Sequence, residues 1–183
     1  TSYGNLPSWA NDPVHFWRMA NAHERANGAV YREHEIALPN ELSNEQNIEL
    51  AERIARKLVG NKPFQLAVHV REGRLEGISN PHMHLMYSDR MPDGFTRSPA
   101  QTFARFNPVS PWRGGCRKMS GGRTAMQLRD DLIAMRKLAA DIQNAHLAKH
   151  GHSVRVDHRS LRDQGISRAP EHHLGPGRIR SLS

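Results

Sequence analysis

Residues 80–90 are Asn80-Pro81-His82-Met83-His84-Leu85-Met86-Tyr87-Ser88-Asp89-Arg90, and this run is typical of a β-strand. Side chains alternate between the two faces of a strand, so His82 and His84 are predicted to lie on the same face. Imidazole nitrogens are common ligands of zinc, copper, iron and nickel. The pair therefore indicates part of a metal site, with ordinary packed or solvated histidines as the alternative.

A third histidine, His69, lies in the preceding apolar run, so that strands are predicted at residues 64–71 and 81–90. The connection between them, residues 71–80, contains two glycines and ends in Ser-Asn, a composition typical of the turn between antiparallel strands. If the strands pair directly, His69 lies beside the other two histidines. Three converging imidazoles favour the metal site over the alternative.

The composition describes a polar, folded domain with a marked positive charge. The chain has 183 residues, 37% hydrophobic residues and a formal net charge of +8. Such a balance favours an anionic partner, most commonly nucleic acid, although solubility alone is an alternative explanation. One cysteine, Cys116, excludes an intrachain disulfide and fits a reducing compartment. No apolar run is long enough to cross a membrane, so we expect no membrane insertion.

Periodicity and end signals predict the other elements. Ser43 and Gln46 fit a capping box that begins a helix, and Gly60 ends it. These elements are a loop at 1–12, helices at 13–27, 44–59 and 124–149, strands at 29–39 and 153–158, and a short helical turn at 160–164 that Gly165 ends. The longest helix carries an apolar stripe of Leu128, Leu132, Met135, Ala139, Ile142 and His146. We therefore predict an α+β fold in which an antiparallel sheet packs helices on one face and leaves the histidine face open.

The segment 91–123 is too long and irregular for a simple turn. Its last part, residues 112–123, is rich in glycine and basic residues and begins with a tryptophan. A basic, glycine-rich loop with an aromatic side chain suits contact with a nucleic-acid backbone, and a disordered connector is the alternative. The candidate contacts are Arg113, Arg117, Lys118 and Arg123.

The chain resembles the relaxase domain of the MobA/MobL family of plasmid mobilisation proteins, which belong to the HUH (His-hydrophobic-His) endonucleases. The resemblance begins with residues 80–86 and the upstream Leu66-Ala67-Val68-His69. Three further stretches agree in the family order and together cover nearly the whole chain. They are Glu24-Arg25-Ala26-Asn27-Gly28 with Glu33-His34-Glu35-Ile36-Ala37-Leu38-Pro39, then Asp157-His158-Arg159-Ser160-Leu161 with Gln164-Gly165-Ile166, and His173-Leu174-Gly175-Pro176.

The resemblance implies a metal-dependent nick in one DNA strand at a transfer origin. A tyrosine attacks the phosphate and becomes linked to the 5′ end, which leaves a free 3′-hydroxyl. By this likeness His69, His82 and His84 bind one divalent cation (Mn, Mg, Zn or similar), while Glu33 and Glu35 orient a histidine or accept the tyrosine proton. The implied setting is the bacterial cytoplasm, with single-stranded origin DNA and accessory relaxosome proteins as partners. Residues 1–168 would form the catalytic domain and 169–183 an extended basic tail.

One feature departs from the family pattern. The family's nucleophilic tyrosine lies upstream of the part matched here, and its N-terminal strand with it. Tyr3, Tyr31 and Tyr87 match no family nucleophile, so we expect the chain alone to lack one. Two alternatives remain: an HUH replication initiator or transposase, against which the stretches outside the histidines argue, and a non-catalytic DNA-binding module that keeps a remnant metal site.

Overall fold

The computed structural model describes residues 1–72 and 79–169. Its strands are β1 (Ser2–Gly4), β2 (Arg32–Ala37), β3 (Phe64–Glu72) and β4 (Ser79–Tyr87). Its α-helices are α1 (Pro13–His23), α2 (Asn44–Val59), α3 (Pro99–Phe103) and α4 (Ala125–Lys149), with a 3-10 turn at Pro111–Arg113. Most of the predicted connection 71–80, the tail 169–183 beyond its first residue, and the stretch His173-Leu174-Gly175-Pro176 lie outside the described residues.

The four strands form one antiparallel sheet in the order β1-β3-β4-β2. The two histidine strands pair directly, as predicted, and His69 lies opposite His82 in the register. On the other side of β4, Glu35 lies opposite His84. Because side chains alternate along a strand, the three histidines, Glu33 and Glu35 all project from the same face of the sheet.

The opposite face of the sheet packs against α2 and α4. The capping box of Ser43 and Gln46 begins α2, and the face of this helix that includes Leu50 and Ile54 is fully buried against the sheet. Sheet residues such as Met83 and Leu85, which alternate with the histidines along β4, complete the core. This packing confirms the α+β class and leaves the histidine face free of α2 and α4.

A second, smaller core lies under α1 and α3. Phe16 and Phe103 are buried there with their ring centroids 5.8 Å apart. Trp17 of α1 donates a hydrogen bond from Nε1 to Oε1 of Gln65 at 3.2 Å. Since Gln65 projects from the same face as His69, α1 reaches the histidine face near the start of β3, four residues from His69.

Two predictions near the N-terminus were wrong. Residues 1–12 are not all loop, because Ser2–Gly4 pairs with β3 as an edge strand. The first helix ends at His23 rather than near residue 27. Glu24 leaves the helix in an extended conformation, with its carboxylate ion-paired to Arg90 and Lys118, so long-range charge pairing ends this helix earlier than Gly28 would.

Two further differences involve α4. Residues 153–158 form no strand: Val156 instead exchanges two backbone hydrogen bonds with the side-chain amide of Asn144, which takes the place of a strand neighbour. The predicted apolar stripe is buried only in its second half, since Leu128 and Leu132 are 41% and 37% exposed. None of the helices in the described parts of the chain is long and apolar enough to span a lipid bilayer.

Candidate metal centre

The three predicted histidines converge at one end of the sheet. The ring centroids of His69 and His82 are 5.4 Å apart, those of His69 and His84 5.0 Å, and those of His82 and His84 5.2 Å. One nitrogen from each ring lies within 4.8 Å of those from the other two, and all three residues are half-buried. Direct strand pairing therefore places three potential ligands around one point, as the sequence predicted.

Hydrogen bonds to the outer nitrogens set the tautomers of two of these rings. Nδ1 of His84 lies 3.0 Å from Oε1 of Glu33, and Nδ1 of His82 lies 2.9 Å from the backbone oxygen of Asn80. Carboxylate and carbonyl oxygens only accept hydrogen bonds, so each Nδ1 carries the hydrogen. The lone pair of each neutral ring then resides on Nε2, which is the form that binds a metal ion.

The donor set fits a divalent cation with an affinity for imidazole. Neutral imidazole suits zinc, copper, iron and nickel, whereas magnesium prefers oxygen ligands. Three protein ligands leave coordination positions open for a substrate or water. His69, His82 and His84 would hold such an ion on the exposed face of the sheet, where an extended chain can approach it.

The two predicted glutamates have different positions. Glu33 contacts His84 directly although it pairs with Met86, because its side chain reaches diagonally along the sheet. Glu35 lies directly opposite His84 and is exposed. Glu33 therefore fixes the orientation of the His84 ring, whereas Glu35 lies exposed on the same face.

We expect Glu33→Ala to weaken binding of a divalent cation by about 10- to 100-fold, because His84 loses the hydrogen bond that fixes its tautomer. Titration calorimetry with Mn²⁺ or Zn²⁺ measures the effect. Glu35→Ala is the matched control, since it removes the same charge from the same strand face. Equal losses in the two variants would contradict a specific role for the Glu33–His84 contact and indicate a general effect of charge.

The three tyrosines lie away from the group formed by His69, His82 and His84. Tyr87 projects from the core face of the sheet, is buried, and its hydroxyl lies 3.0 Å from Nε2 of His34. Tyr31 precedes β2 and packs its ring edge-on against Trp17. Tyr3 projects from the histidine face but pairs with Gln65, four residues from His69, which is about 13 Å along the strand.

The four candidate DNA contacts are of two kinds. Arg113 and Arg117 are exposed. Lys118 is largely buried, with Nζ 3.2 Å from Oε2 of Glu24, and Arg123 pairs with Asp131 at 2.7 Å. The isolated bridge between Arg90 and Lys118 lies beyond Tyr87, so this segment is at the opposite end of β4 from His82.

The buried ion pair of Arg90 and Glu24 was not predicted from the sequence. Arg90 donates to both carboxylate oxygens of Glu24 at 3.0 Å and to three backbone oxygens, those of Phe103, Ala104 and Cys116. Burial opposes ionisation of Glu24, but the hydrogen bonds from Arg90 prevail and lower the pKa of its carboxyl group. Glu24 and Arg90 lie in motif stretches, yet only tertiary structure brings them together.

A second buried group of titratable side chains surrounds Tyr87 on the core side. Nζ of Lys62 lies 4.9 Å from the centroid of the Tyr87 ring, and His34 contacts the Tyr87 hydroxyl. Burial lowers the pKa of His34, and the nearby Lys62 ammonium lowers it further. Burial also lowers the pKa of Lys62 and raises that of Tyr87.

We expect the folded protein to lose stability as the pH falls below about 6.5, the ordinary pKa of histidine. His34 has a lower pKa in the folded chain, so the unfolded chain takes up protons first and the contribution of this group disappears as the pH falls through the folded pKa. Urea unfolding from pH 8 to pH 5 measures this. His34→Gln should make the decline shallower, and an unchanged decline in that variant would contradict the assignment.

The fold is α+β, and three histidines converge on the face of its antiparallel sheet that α2 and α4 leave uncovered. These two features define a class of protein with a candidate metal centre. The model of the MobA/MobL family matches this chain over residues 2–181, and the chain belongs to that family.

Relatives and a solved structure agree with this membership. A "43 kDa relaxation protein" of Salmonella typhimurium is 41% identical over 167 residues, which cover 90% of this chain and 45% of that protein. "Mobilization protein A" of Escherichia coli is 41% identical over 175 residues, covering 94% of this chain and 23% of that protein. The chain thus spans less than half the length of these relatives. A solved structure described as "Molecular Basis of Vancomycin Resistance Transfer in Staphylococcus aureus" is 30% identical, with a TM-score of 0.56 over 85% of this chain and 73% of that one.

Proposed function

We propose that this chain forms the metal-binding and DNA-binding part of a relaxase, which nicks and rejoins one DNA strand at a plasmid transfer origin to begin conjugative mobilisation. The observation that carries the proposal is the arrangement of His69, His82 and His84, with two rings held so that Nε2 is free. Relatives named for relaxation and mobilisation support the biological setting.

The chemistry of strand transfer suits such a site. Attack by a tyrosine oxygen on the scissile phosphorus forms a P–O bond to the protein and breaks the bond to the 3′-oxygen, which leaves as a hydroxyl after taking up a proton. When bound, a divalent cation supplies a Lewis acid that polarises the phosphate. Glu33 is engaged with His84, so Glu35 is the carboxylate available to accept the tyrosine proton.

We expect residues 1–183 alone to form no covalent adduct with DNA, because displacement needs a nucleophile held in line with the leaving oxygen. Tyr87 is buried on the other face, and Tyr3 and Tyr31 lie toward the far end of the sheet. Incubation with an origin oligonucleotide and Mn²⁺, followed by a denaturing gel, measures adduct formation. A band that survives denaturation would refute this expectation, and Tyr3→Phe and Tyr31→Phe would then identify the nucleophile.

The experiment that tests the function itself uses the complete product of the encoding gene. We expect this form to nick origin DNA and form an adduct when Mn²⁺ is present, and to do neither with chelator. Failure of both reactions on the DNA of its own plasmid would overturn the relaxase proposal and favour the non-catalytic DNA-binding module. A replication initiator or transposase would instead cleave a replication origin or transposon end.

We expect binding of single-stranded DNA to weaken steeply with salt, since neutralised phosphates release counterions. Replacing Arg113 and Arg117 by alanine should reduce the slope of log affinity against log salt by about 1.4, at about 0.7 for each phosphate that is no longer neutralised. Fluorescence anisotropy measures the slope. Replacing Arg53 and Arg56, two exposed arginines of α2, gives the same change in charge as a control. An unchanged slope in the first variant would favour the connector interpretation.

The other two candidate contacts need a separate test. The Lys118 ammonium pairs with Glu24, and the Arg123 guanidinium pairs with Asp131. Both groups are therefore less available to bind a phosphate than the exposed Arg113 and Arg117. We propose that Lys118 acts mainly in the fold. Lys118→Met should therefore lower the midpoint of urea unfolding and leave the slope of log affinity against log salt nearly unchanged.

A further inference from the structure

A second group of potential ligands lies on the far side of the molecule, where α2 meets the end of α4. It consists of Glu49 on α2, His146 in the last turn of α4, and His150, which caps that helix. One donor atom from each residue lies within 4.8 Å of the other two. His146 and His150 are spaced i, i+4, which places both rings on one face of the helix, with their centroids 4.7 Å apart.

Two ring nitrogens of this group are buried without a hydrogen-bond partner among the described residues. Nε2 of His146 lies 3.1 Å from the backbone oxygen of Gln46, so Nε2 carries the hydrogen and Nδ1 has the lone pair. His146 is fully buried, and its Nδ1 contacts no donor, as is also true of Nε2 of His150. Buried polar atoms are nearly always satisfied in folded proteins, so this pair points to a missing ligand.

We propose that Glu49, His146 and His150 bind a second metal ion, zinc or another divalent cation with an affinity for imidazole, which joins the start of α2 to the end of α4. Two imidazoles and a carboxylate are a common zinc donor set, and tetrahedral donors at 2.0–2.1 Å from the ion are about 3.3 Å apart. The donor atoms lie within 4.8 Å of one another, so binding one ion requires them to approach by up to about 1.5 Å. Glu49 is exposed, which provides an entry path and room for water as a fourth ligand.

Gln46 favours the tautomer of His150 that does not bind a metal through Nε2, so substitution of Gln46 can test the site. The amide oxygen of Gln46 accepts from the backbone of Ser43 in the capping box, and its Nε2 lies 2.9 Å from Nδ1 of His150. An amide nitrogen only donates, so the His150 hydrogen now sits on Nε2 and must move to Nδ1 when Nε2 binds a metal. A glutamate at position 46 would keep the capping box and also accept a hydrogen bond from Nδ1 of His150.

The ion pair of Glu49 with Lys149 is a weaker competitor. Oε1 of Glu49 lies 2.8 Å from Nζ of Lys149, and both side chains are more than half exposed. Exposed pairs of this kind are weak, and the second carboxylate oxygen remains available. The ammonium therefore does not block the site.

The experiment separates this site from the one on the sheet. In a His82→Ala/His84→Ala background, competition of Zn²⁺ with a chromogenic chelator and the visible spectrum of bound Co²⁺ should reveal one remaining equivalent. Added zinc should also raise the melting temperature of that variant. Adding His150→Gln should remove both effects, whereas His152→Gln, at a neighbouring histidine, should change neither. Gln46→Glu should tighten zinc binding by about tenfold, the effect expected of a carboxylate behind a histidine ligand.

Stoichiometry of the otherwise unchanged chain gives a parallel test that does not depend on the background variant folding. We expect two zinc equivalents for that chain and one for His150→Gln. A single zinc equivalent in the unchanged chain that is fully retained in His150→Gln would overturn the proposal and show that the gap holds only water. If the sheet site did not bind metal, the unchanged chain would bind one zinc equivalent, and that equivalent would be lost in His150→Gln but not in His82→Ala.

Discussion

His82→Ala should weaken divalent-cation binding at the sheet site by more than about 100-fold, because loss of a direct ligand exceeds the 10- to 100-fold cost of losing a hydrogen-bond partner behind one. His82 is central to the group, lying opposite His69 in the register and two residues from His84 on the same strand face. Alanine leaves two imidazoles, which are too few to hold an ion against water. Calorimetric titration in the His150→Gln background measures this site by itself.

The same substitution should lower metal-dependent nicking by the complete gene product about 100- to 10,000-fold. A Lewis acid stabilises the transition state by several kcal/mol, and each 1.36 kcal/mol corresponds to a factor of ten in rate. His23→Ala, at an exposed histidine of α1, is the control and should change neither affinity nor nicking. Undiminished metal affinity in His82→Ala would show that the three histidines do not form one site.

Arg90→Met should lower the free energy of unfolding by about 3–5 kcal/mol, the range for removing one partner of a buried ion pair. Both partners are nearly inaccessible, with side chains 6% and 2% exposed for Arg90 and Glu24. The variant loses the two-point contact with Glu24, whose carboxylate keeps Lys118 at 3.2 Å and the more exposed Arg25 at 4.0 Å as charged partners. It also leaves the backbone oxygens of Phe103, Ala104 and Cys116 without the guanidinium that satisfies them.

Urea denaturation at pH 7.5 measures the change, and Arg53→Met at an exposed position of α2 should cost less than about 0.5 kcal/mol. The double variant Arg90→Met/Glu24→Gln should be more stable than the sum of the single losses predicts, because the second change removes the unpaired charge. Additive losses would contradict a direct energetic coupling between the two residues.

The local part of the fold followed from sequence pattern. Alternation on β3 and β4, the glycines between them, and the capping box at Ser43 depend on neighbours a few residues away, so they can be recognised without tertiary information. Once the two strands were predicted to pair directly, the approach of His69 to His82 followed from the two-residue period of a strand. The family resemblance added a reaction to that geometry.

The features that sequence missed depend on interactions across long separations. The edge strand Ser2–Gly4 is too short to show a period, and it exists because β3 offers it a hydrogen-bonding edge. The last turn predicted for α1 is absent, and Glu24, which is extended there, instead pairs with Arg90, 66 residues away. Likewise, Val156 pairs with the side chain of Asn144, which no alternation of residues could reveal.

Both groups of candidate metal ligands show the same division. Sequence alone predicted that His82 and His84 share a strand face and that His146 lies on the apolar stripe of the longest helix, since periods of 2.0 and 3.6 residues fix the direction of each side chain. Only the tertiary structure decided that Glu33 reaches His84 diagonally across the sheet and that Glu49 and His150 lie beside His146. The physical reason is that backbone period sets orientation within one element, whereas the packing of elements, through burial and charge pairing, sets which side chains from different elements meet.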